Sequence, residues 1–174
     1  MTIDLRHFHG DNLPEDHRQV LLEVHSDAYQ AQADDPFVQR FAWFVDHWTA
    51  RSGYSCVVAY EDSTPVGFAY GAPLTTGAEG WRPHLDPAPE RTRTFAVSEV
   101  MVRPAWRKQG IAQAVHDVLL ADRGEALAVL YVDTTHPRVQ AMYESWGYTK
   151  VGEHRPFEDA PLYAVMLQEL VVHT

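Results

Sequence analysis

Apolar positions along the chain follow two spacings, and their order predicts helices interleaved with β-strands. Runs with strand-like alternation or continuous apolar character are separated by stretches in which apolar residues recur at helical spacing. The predicted strands cover residues 2–8, 54–60, 66–70, 95–102, 127–132, 148–151 and 162–170. The predicted helices begin near residue 14 and at residues 36, 111 and 137. This order predicts an α/β domain with one mixed sheet and helices on both of its faces.

The two C-terminal helices have the clearest periodicity. The first covers residues 111–123, and the apolar side chains on its inner face are Ile111, Ala114, Val115, Val118 and Leu119. Gly124 follows where a glycine commonly ends a helix. The second covers residues 137–146 and ends before Gly147, and the side chains predicted to share one side of it are Val139, Met142, Tyr143 and Trp146.

A long segment without periodicity, residues 71–93, follows a predicted hairpin. Turn residues at positions 61–65, between two apolar runs, indicate the hairpin. The segment is rich in glycine and proline, and a loop of this length inside a compact domain is usually functional or mobile. Trp81 within it has no obvious core to join. The sequence therefore leaves open a surface position for Trp81 and a role in substrate binding.

Composition and charge exclude several classes of protein. The 174 residues are 45% hydrophobic and 22% charged, which is typical of one soluble domain covering residues 1–174. No apolar run is long enough to span a membrane, and no signal peptide is recognisable. A single cysteine, Cys56, favours a reducing cytoplasm. The net charge of −10 argues against a nucleic-acid partner. Ten scattered histidines, with no pair at i, i+4 beside an acid, predict no metal site.

The segment 102–112 carries the clearest candidate chemistry. A predicted strand ends, a short basic loop containing Arg107 and Lys108 follows, and a strong helix begins after Gly110. The first turn of a helix has unpaired N–H groups and partial positive charge, so it can bind an anion. Gly110 and Ala112 leave the backbone accessible to phosphate oxygens. The alternative is an ordinary strand–loop–helix connection with solvated basic residues.

Three motifs resemble those of the GNAT superfamily of acyl-CoA-dependent N-acyltransferases. Arg107-x-x-Gly110-x-Ala112 matches its R/Q-x-x-G-x-G/A signature, and Val102-x-Pro104-x-x-Arg107 matches its lead-in. Downstream, residues 143–148 resemble its Y-x-x-x-G-F/Y motif. The motifs cover residues 95–151. The resemblance implies a mostly antiparallel mixed sheet that is splayed at its fourth strand.

The resemblance also implies the residues that hold acetyl-CoA. The pyrophosphate would lie on the loop and first helical turn, formed by Arg107, Lys108, Gln109, Gly110, Ile111 and Ala112. The pantetheine would pair with the main chain of Met101 and Val102. Tyr143 would protonate the departing thiolate, although its helical spacing also suits a core residue. His136 stands where many family members have an asparagine that contacts the cofactor, and either Thr135 or His136 could cap the following helix.

The sequence offers several candidates for the general base. Where better-known family members carry a glutamate, this chain has Ala96, and it has Glu99 further along the same strand. A carboxylate among apolar residues is expected to have a raised pKa, as suits a base. An ion pair with an arginine and exposure where the strand splays are alternatives. His84 and His154 are further candidates.

The sequence therefore predicts a cytoplasmic acetyltransferase that moves an acetyl group from acetyl-CoA to a primary amine in a ternary complex. The acceptor would be a small molecule or a peptide of cationic or aromatic character. A longer acyl donor, a hydroxyl acceptor and a catalytically silent acyl-CoA-binding module are alternatives. A monomer and a homodimer both stay open.

Overall fold

The computed structural model describes residues 2–170, and residues 1 and 171–174 lie outside the described part. In this range the strands are β1 (Ile3–His9), β2 (Ser55–Glu61), β3 (Thr64–Pro73), β4 (Thr94–Val102), β5 (Leu127–Asp133), β6 (Thr149–His154) and β7 (Tyr163–Glu169). The α-helices are α1 (His17–Ala28), α2 (Pro36–Gln39), α3 (Phe41–Thr49), α4 (Ile111–Leu120) and α5 (Pro137–Ser145). The predicted order is confirmed, except that the second helix is two helices, α2 and α3.

The strands form a mixed sheet in the order β1-β2-β3-β4-β5-β7-β6. The pairs β1–β2, β2–β3, β5–β7 and β6–β7 are antiparallel, whereas β4 and β5 run parallel. The parallel pairing joins residues 94–96 to residues 127–129 only. The α/β class and the mostly antiparallel sheet are thereby confirmed, and the short pairing lies at the strand where the splay is predicted.

The chain divides into two compact units, and the prediction of a single domain over residues 1–174 stays a prediction. The first unit comprises residues 1–72 and 99–122. Its core joins the inner faces of α1 and α3 to β2 and β3, and α4 packs against β2 and β1. The largest fully buried side chains of this core are Leu21, Val24, Val45, Tyr54, Phe68 and Tyr70.

His25 lies in an aromatic stack inside the first unit. Its ring is nearly parallel to that of Phe41 with centroids 3.8 Å apart, and it stacks on Tyr29 at 4.7 Å. Burial lowers the pKa of His25 from 6.5 to about 4, because the charged ring would lose its hydration. His25 is therefore neutral at pH 7, and it extends the core from Phe41 to the end of α1.

We expect His25 to lower the free energy of unfolding as the pH falls from 6.5 towards 4. In that window the unfolded chain binds a proton that the folded chain excludes, at up to about 1.4 kcal/mol per pH unit. His25→Phe keeps the stack and removes the titration, so its stability should rise relative to wild type as the pH falls. Urea unfolding from pH 7 to 4 measures this difference. His47→Gln, at an exposed position of α3, is the control. If the difference in unfolding free energy between His25→Phe and wild type stays constant from pH 7 to 4, the lowered pKa of His25 is contradicted.

The second unit comprises residues 73–98 and 123–174, of which residues 171–174 are outside the described part. Strands β4, β5 and β7 supply many of its buried side chains, which include Phe95, Val129, Val165 and Met166. The long loop covers residues 74–93 rather than the predicted 71–93, because β3 continues to Pro73, and it contains a 3₁₀ turn at Arg82–His84. This loop packs onto the sheet of its own unit.

Three expectations from the sequence are wrong. Trp81 neither folds onto the surface nor faces a substrate, because its side chain is fully buried and its Nε1 donates to Thr94 Oγ1 at 2.9 Å. α4 ends at Leu120, and Gly124 is not among the described glycines with positive φ, so Gly124 is not the helix-ending glycine. Val139 is 40% exposed and does not share the buried side of α5 with Tyr143.

Candidate active site

The connection from β4 to α4 is an exposed loop with two left-handed backbone positions. Lys108 has φ 64° and Gly110 has φ 78°, and residues 107–110 are all exposed. A Cβ built on Gly110 meets no atom within 4 Å, so the space in front of it is open. α4 begins directly after Gly110, and its first-turn N–H groups have no partner within the helix. The loop therefore fits an anion such as a pyrophosphate, which a side chain at position 110 would obstruct.

Side-chain hydrogen bonds to the backbone fix this loop from its start. Arg107 Nε donates to the Val102 carbonyl at 3.2 Å, and its Nη2 donates to the Ala28 carbonyl at the end of α1, at 3.4 Å. Arg103 Nε donates to the Pro65 carbonyl at 2.7 Å. The guanidinium of Arg107 thus binds α1 to the loop, a contact that no sequence signal indicates.

The end of β4 lies tightly against β3 within the first unit. Met101 and Val102 are buried, and the Arg103 amide donates to the Val66 carbonyl at 2.8 Å. A Cβ on Gly67 would lie 2.8 Å from the Met101 carbonyl oxygen, so only glycine permits this approach. Pairing of pantetheine with the main chain of Met101 and Val102 stays a prediction.

Glu99 is a partly buried carboxylate on β4 without a cationic partner in the described range of the chain. Desolvation raises the pKa of Glu99 to about 7. Burial raises the pKa of the Tyr29 phenol at the end of α1, the nearby charge of Glu99 raises it further, and Arg107 lowers it. The predicted rise in the pKa of Glu99 is confirmed. Residues 2–170 show no ion pair between Glu99 and an arginine. Ala96 is buried, and its methyl side chain cannot accept or donate a proton.

Tyr143 is the one buried side chain of α5. Its ring meets those of Trp146 and Tyr148 edge-on, with centroids 5.0 and 5.8 Å apart. Gly147, with φ 105°, turns the chain after the helix, and the Tyr148 amide donates to the Tyr143 carbonyl at 3.1 Å. The ring is therefore held rigidly, with 8% of the residue exposed. Its role as a general acid stays a prediction.

His136 occupies the N-cap position of α5 but makes no side-chain capping hydrogen bond. Instead Asp133 Oδ1 accepts hydrogen bonds from the Thr135 amide at 2.9 Å and from its hydroxyl at 2.8 Å. His136 Nε2 lies 4.0 Å from Asp133 Oδ2, and the histidine side chain is largely exposed. The side chain of His136 is thus available for a ligand, and Asp133 is an organising residue that the sequence did not indicate.

The site residues divide between the two units of the chain. Glu99 and residues 101–112 belong to the first, and His136 and Tyr143 belong to the second.

Among residues 2–170, no three His, Cys, Asp or Glu side chains cluster so that they could hold a metal ion. Cys56 is fully buried, and burial raises the pKa of its thiol. None of the described helices is long and apolar enough to cross a membrane.

Comparison with known proteins places the chain in a family. Residues 18–148 match the acetyltransferase (GNAT) family, so the chain belongs to that family, whose general reaction is acetyl transfer. A search of curated proteins gives no match.

Solved structures show the same fold at low sequence identity. The ribosomal-protein-S18-alanine N-acetyltransferase from Escherichia coli has a TM-score of 0.68 and 16% identity, covering 99% of this chain and 97% of that one. PaiA N-acetyltransferase from Thermoplasma acidophilum, in complex with coenzyme A, has a TM-score of 0.65 and 13% identity, with 97% and 99% covered. NAA60 from Arabidopsis thaliana, in complex with a bisubstrate analogue, has a TM-score of 0.68 and 15% identity, with 98% and 100% covered.

Proposed function

We propose that this protein transfers an acetyl group from acetyl-CoA to a primary amine by direct attack in a ternary complex. The observation that carries the proposal is the open loop at Gly110, ahead of the α4 N-terminus, in a chain of the acetyltransferase family. Glu99 supports it, since a carboxylate with a pKa of about 7 suits proton transfer near neutral pH. The reducing cytoplasm is the compartment that one buried cysteine favours.

The residues divide the work of binding and proton transfer. Residues 107–112 hold the pyrophosphate, the main chain of Met101 and Val102 pairs with the pantetheine, and His136 contacts the same cosubstrate. Glu99 accepts a proton from the ammonium, and the freed amine attacks the thioester carbonyl. The C–N bond forms, the C–S bond breaks, and Tyr143 donates its phenolic proton to the departing thiolate. The former amine nitrogen loses its excess proton to the Tyr143 phenolate, which leaves a neutral amide, a CoA thiol and a restored phenol.

The acceptor is proposed to be a cationic or aromatic amine on a small molecule or a peptide. Tyr29, Trp43 and Phe157 are exposed aromatic residues that could contact it. Residues 20–48, 74–93 and 153–161 are the segments proposed to form the acceptor site, and their exposed acids include Asp34, Asp35, Asp86, Glu158 and Asp159. Trp81 and Glu79 also lie in the 74–93 segment, but both are buried and are not proposed to contact the acceptor. Glu99 and Tyr29 together offer the ammonium a carboxylate and an aromatic ring.

A catalytically silent acyl-CoA-binding module is the second candidate, because Ala96 stands where better-known relatives have an acid. Calorimetry with CoA, run beside a turnover assay with acetyl-CoA and a broad amine panel, separates the two. The proposed reaction predicts binding and turnover of at least one amine. Binding without turnover of any amine favours the module, and absence of binding contradicts both.

Tyr143→Phe is expected to lower kcat roughly ten- to a thousand-fold, while CoA affinity changes by less than about tenfold. A thiol has a pKa of about 8.5, so the thiolate leaves moderately well without a proton donor. The variant keeps the ring and its edge-on contacts, so stability should change little. Steady-state kinetics and CoA calorimetry measure both quantities. Met142→Leu is the control, and an intact kcat in Tyr143→Phe would make Tyr143 a core residue only.

A further inference from the structure

The loop between β4 and α4 depends on support from other parts of the first unit. Residues 107–110 are all exposed, and two of them, Lys108 and Gly110, have positive φ values of 64° and 78°. A positive φ is unfavourable for a residue with a side chain such as Lys108. A backbone of this kind keeps one conformation only where its surroundings determine it. The 3₁₀ turn at Pro104–Trp106, directly before these residues, is where such contacts are found.

Trp106 fastens this turn to β2. Its indole Nε1 donates to Glu61 Oε2 at 2.5 Å, and Glu61 is the last residue of β2. Both side chains are partly buried, and the two residues are 45 positions apart in the sequence. A hydrogen bond from an N–H group to a carboxylate is stronger than one between neutral groups. The contact therefore ties the start of the loop to the end of a strand that no motif connects with it.

Two hydrogen bonds within the turn extend this support to the exposed residues. The Trp106 amide donates to the Arg103 carbonyl at 2.9 Å, and the Arg107 amide donates to the Pro104 carbonyl at 3.3 Å. The backbone of Arg107 is thus placed by the turn that Trp106 holds. Lys108 and its positive φ follow directly after it.

The Trp106–Glu61 contact places a negative charge beside a loop proposed to bind an anion. The indole is a neutral donor, so it leaves the charge of Glu61 in place. That charge opposes the binding of a pyrophosphate. Any gain in affinity from Glu61 must therefore come from the position of the loop, and an uncharged acceptor of the same shape should replace it.

From these contacts we infer that Trp106 and Glu61 are positioning residues for the cosubstrate. They hold the loop, before CoA binds, in the conformation that receives the pyrophosphate, and a loop held in this way loses less conformational freedom on binding. Both roles rest on the proposed binding of CoA by residues 107–112. Trp106 stands at an unspecified position of the motif Val102-x-Pro104-x-x-Arg107, and Glu61 lies outside it.

A double-mutant cycle in CoA affinity tests the pair. Trp106→Phe keeps an aromatic ring without the N–H donor, and Glu61→Ala removes the acceptor, so each should weaken CoA binding roughly five- to twentyfold in calorimetry. The double variant should bind about as tightly as the weaker single variant, since both substitutions remove the same hydrogen bond. Glu15→Ala, at an exposed position, is the control and should bind CoA like the wild type.

Glu61→Gln separates positioning from charge. Its amide oxygen can accept the indole proton, so CoA affinity should stay within about threefold of the wild type. If Glu61 acted only through its charge, Glu61→Ala and Glu61→Gln would both bind CoA more tightly than the wild type.

Backbone mobility in the ligand-free protein gives a readout that does not need CoA. NMR order parameters at residues 107–110 should fall in Trp106→Phe and Glu61→Ala and stay at the wild-type level in Glu61→Gln. Unchanged CoA affinity or unchanged order parameters in a folded Trp106→Phe, additive losses in the double variant, or tighter binding by Glu61→Ala would overturn the two roles. If Glu61→Ala does not fold, Trp106→Phe decides alone. Absence of CoA binding by the wild type would contradict the proposed function and these roles together, whereas normal wild-type binding with an unaffected Trp106→Phe would contradict only the roles.

Discussion

Glu99→Gln is expected to lower kcat/KM for amine acetylation by roughly 10²–10⁴, the usual contribution of a general base. The amide keeps the size of the side chain and cannot accept the ammonium proton. In the wild type kcat/KM should fall below pH 7, because Glu99 has a pKa of about 7 and becomes protonated there. That acidic limb should shift or disappear in the variant. Rates measured from pH 5 to 9 with one amine test both effects.

Glu99→Gln should raise the stability of the protein above pH 7, although it lowers the activity. The pKa of Glu99 is about 7 in the fold and 4.5 in an unfolded chain, so the fold gains stability from the bound proton below pH 4.5 and loses it as the pH rises through 7. Above pH 7 Glu99→Gln should therefore melt at a higher temperature than wild type. Glu15→Gln, at an exposed position, should change neither rate nor melting temperature. A Glu99→Gln enzyme with a normal rate and pH profile would assign the base to water or to a histidine.

Gly110→Glu is expected to abolish measurable CoA binding. Its side chain would project into the open space where bare backbone now faces the proposed pyrophosphate, and its charge would repel the phosphates. Each lost hydrogen bond to a charged phosphate costs roughly 1.5–3 kcal/mol. Calorimetry with CoA measures the loss.

Two controls separate this effect from changes in charge and backbone strain. Gly124→Glu adds the same charge at an open position beyond the other end of α4, and it should bind CoA normally. Gly110→Ala tests the strain of a side chain at φ 78° without adding charge. Unchanged CoA affinity in a folded Gly110→Glu protein would mean that the loop does not bind the pyrophosphate.

Local sequence signals predict those parts of the fold that depend on local physics. The helical spacing of residues 111–119 and the run from Pro137 to Gly147 predict α4 and α5, with the end of α4 placed three residues too late because Gly124 does not end it. The position of Trp81 depends instead on Thr94 and on the sheet of its unit. Contacts of that kind are between residues distant in sequence, so periodicity does not reveal them.

The same division holds for the candidate site. Apolar neighbours along β4 are enough to predict a raised pKa for Glu99, and glycine before a strong helix is enough to predict an open loop. The hydrogen bond from Arg107 to the Ala28 carbonyl joins residues that are distant in sequence, so no local pattern predicts it. The family resemblance implies that Tyr143 is a general acid and that His136 contacts the cosubstrate. Both roles stay predictions that kinetic measurements must test.

The most direct test of the proposed reaction follows the acetyl group itself. The protein is incubated with acetyl-CoA, first alone and then with an amine that the panel identifies, and intact protein, amine and CoA are analysed by mass spectrometry. Direct transfer predicts no acetylated protein intermediate before the amine is added, and afterwards one acetylated amine for each CoA released. Absence of acetylated amine with every amine tested, in a protein that binds CoA, would contradict the proposed function.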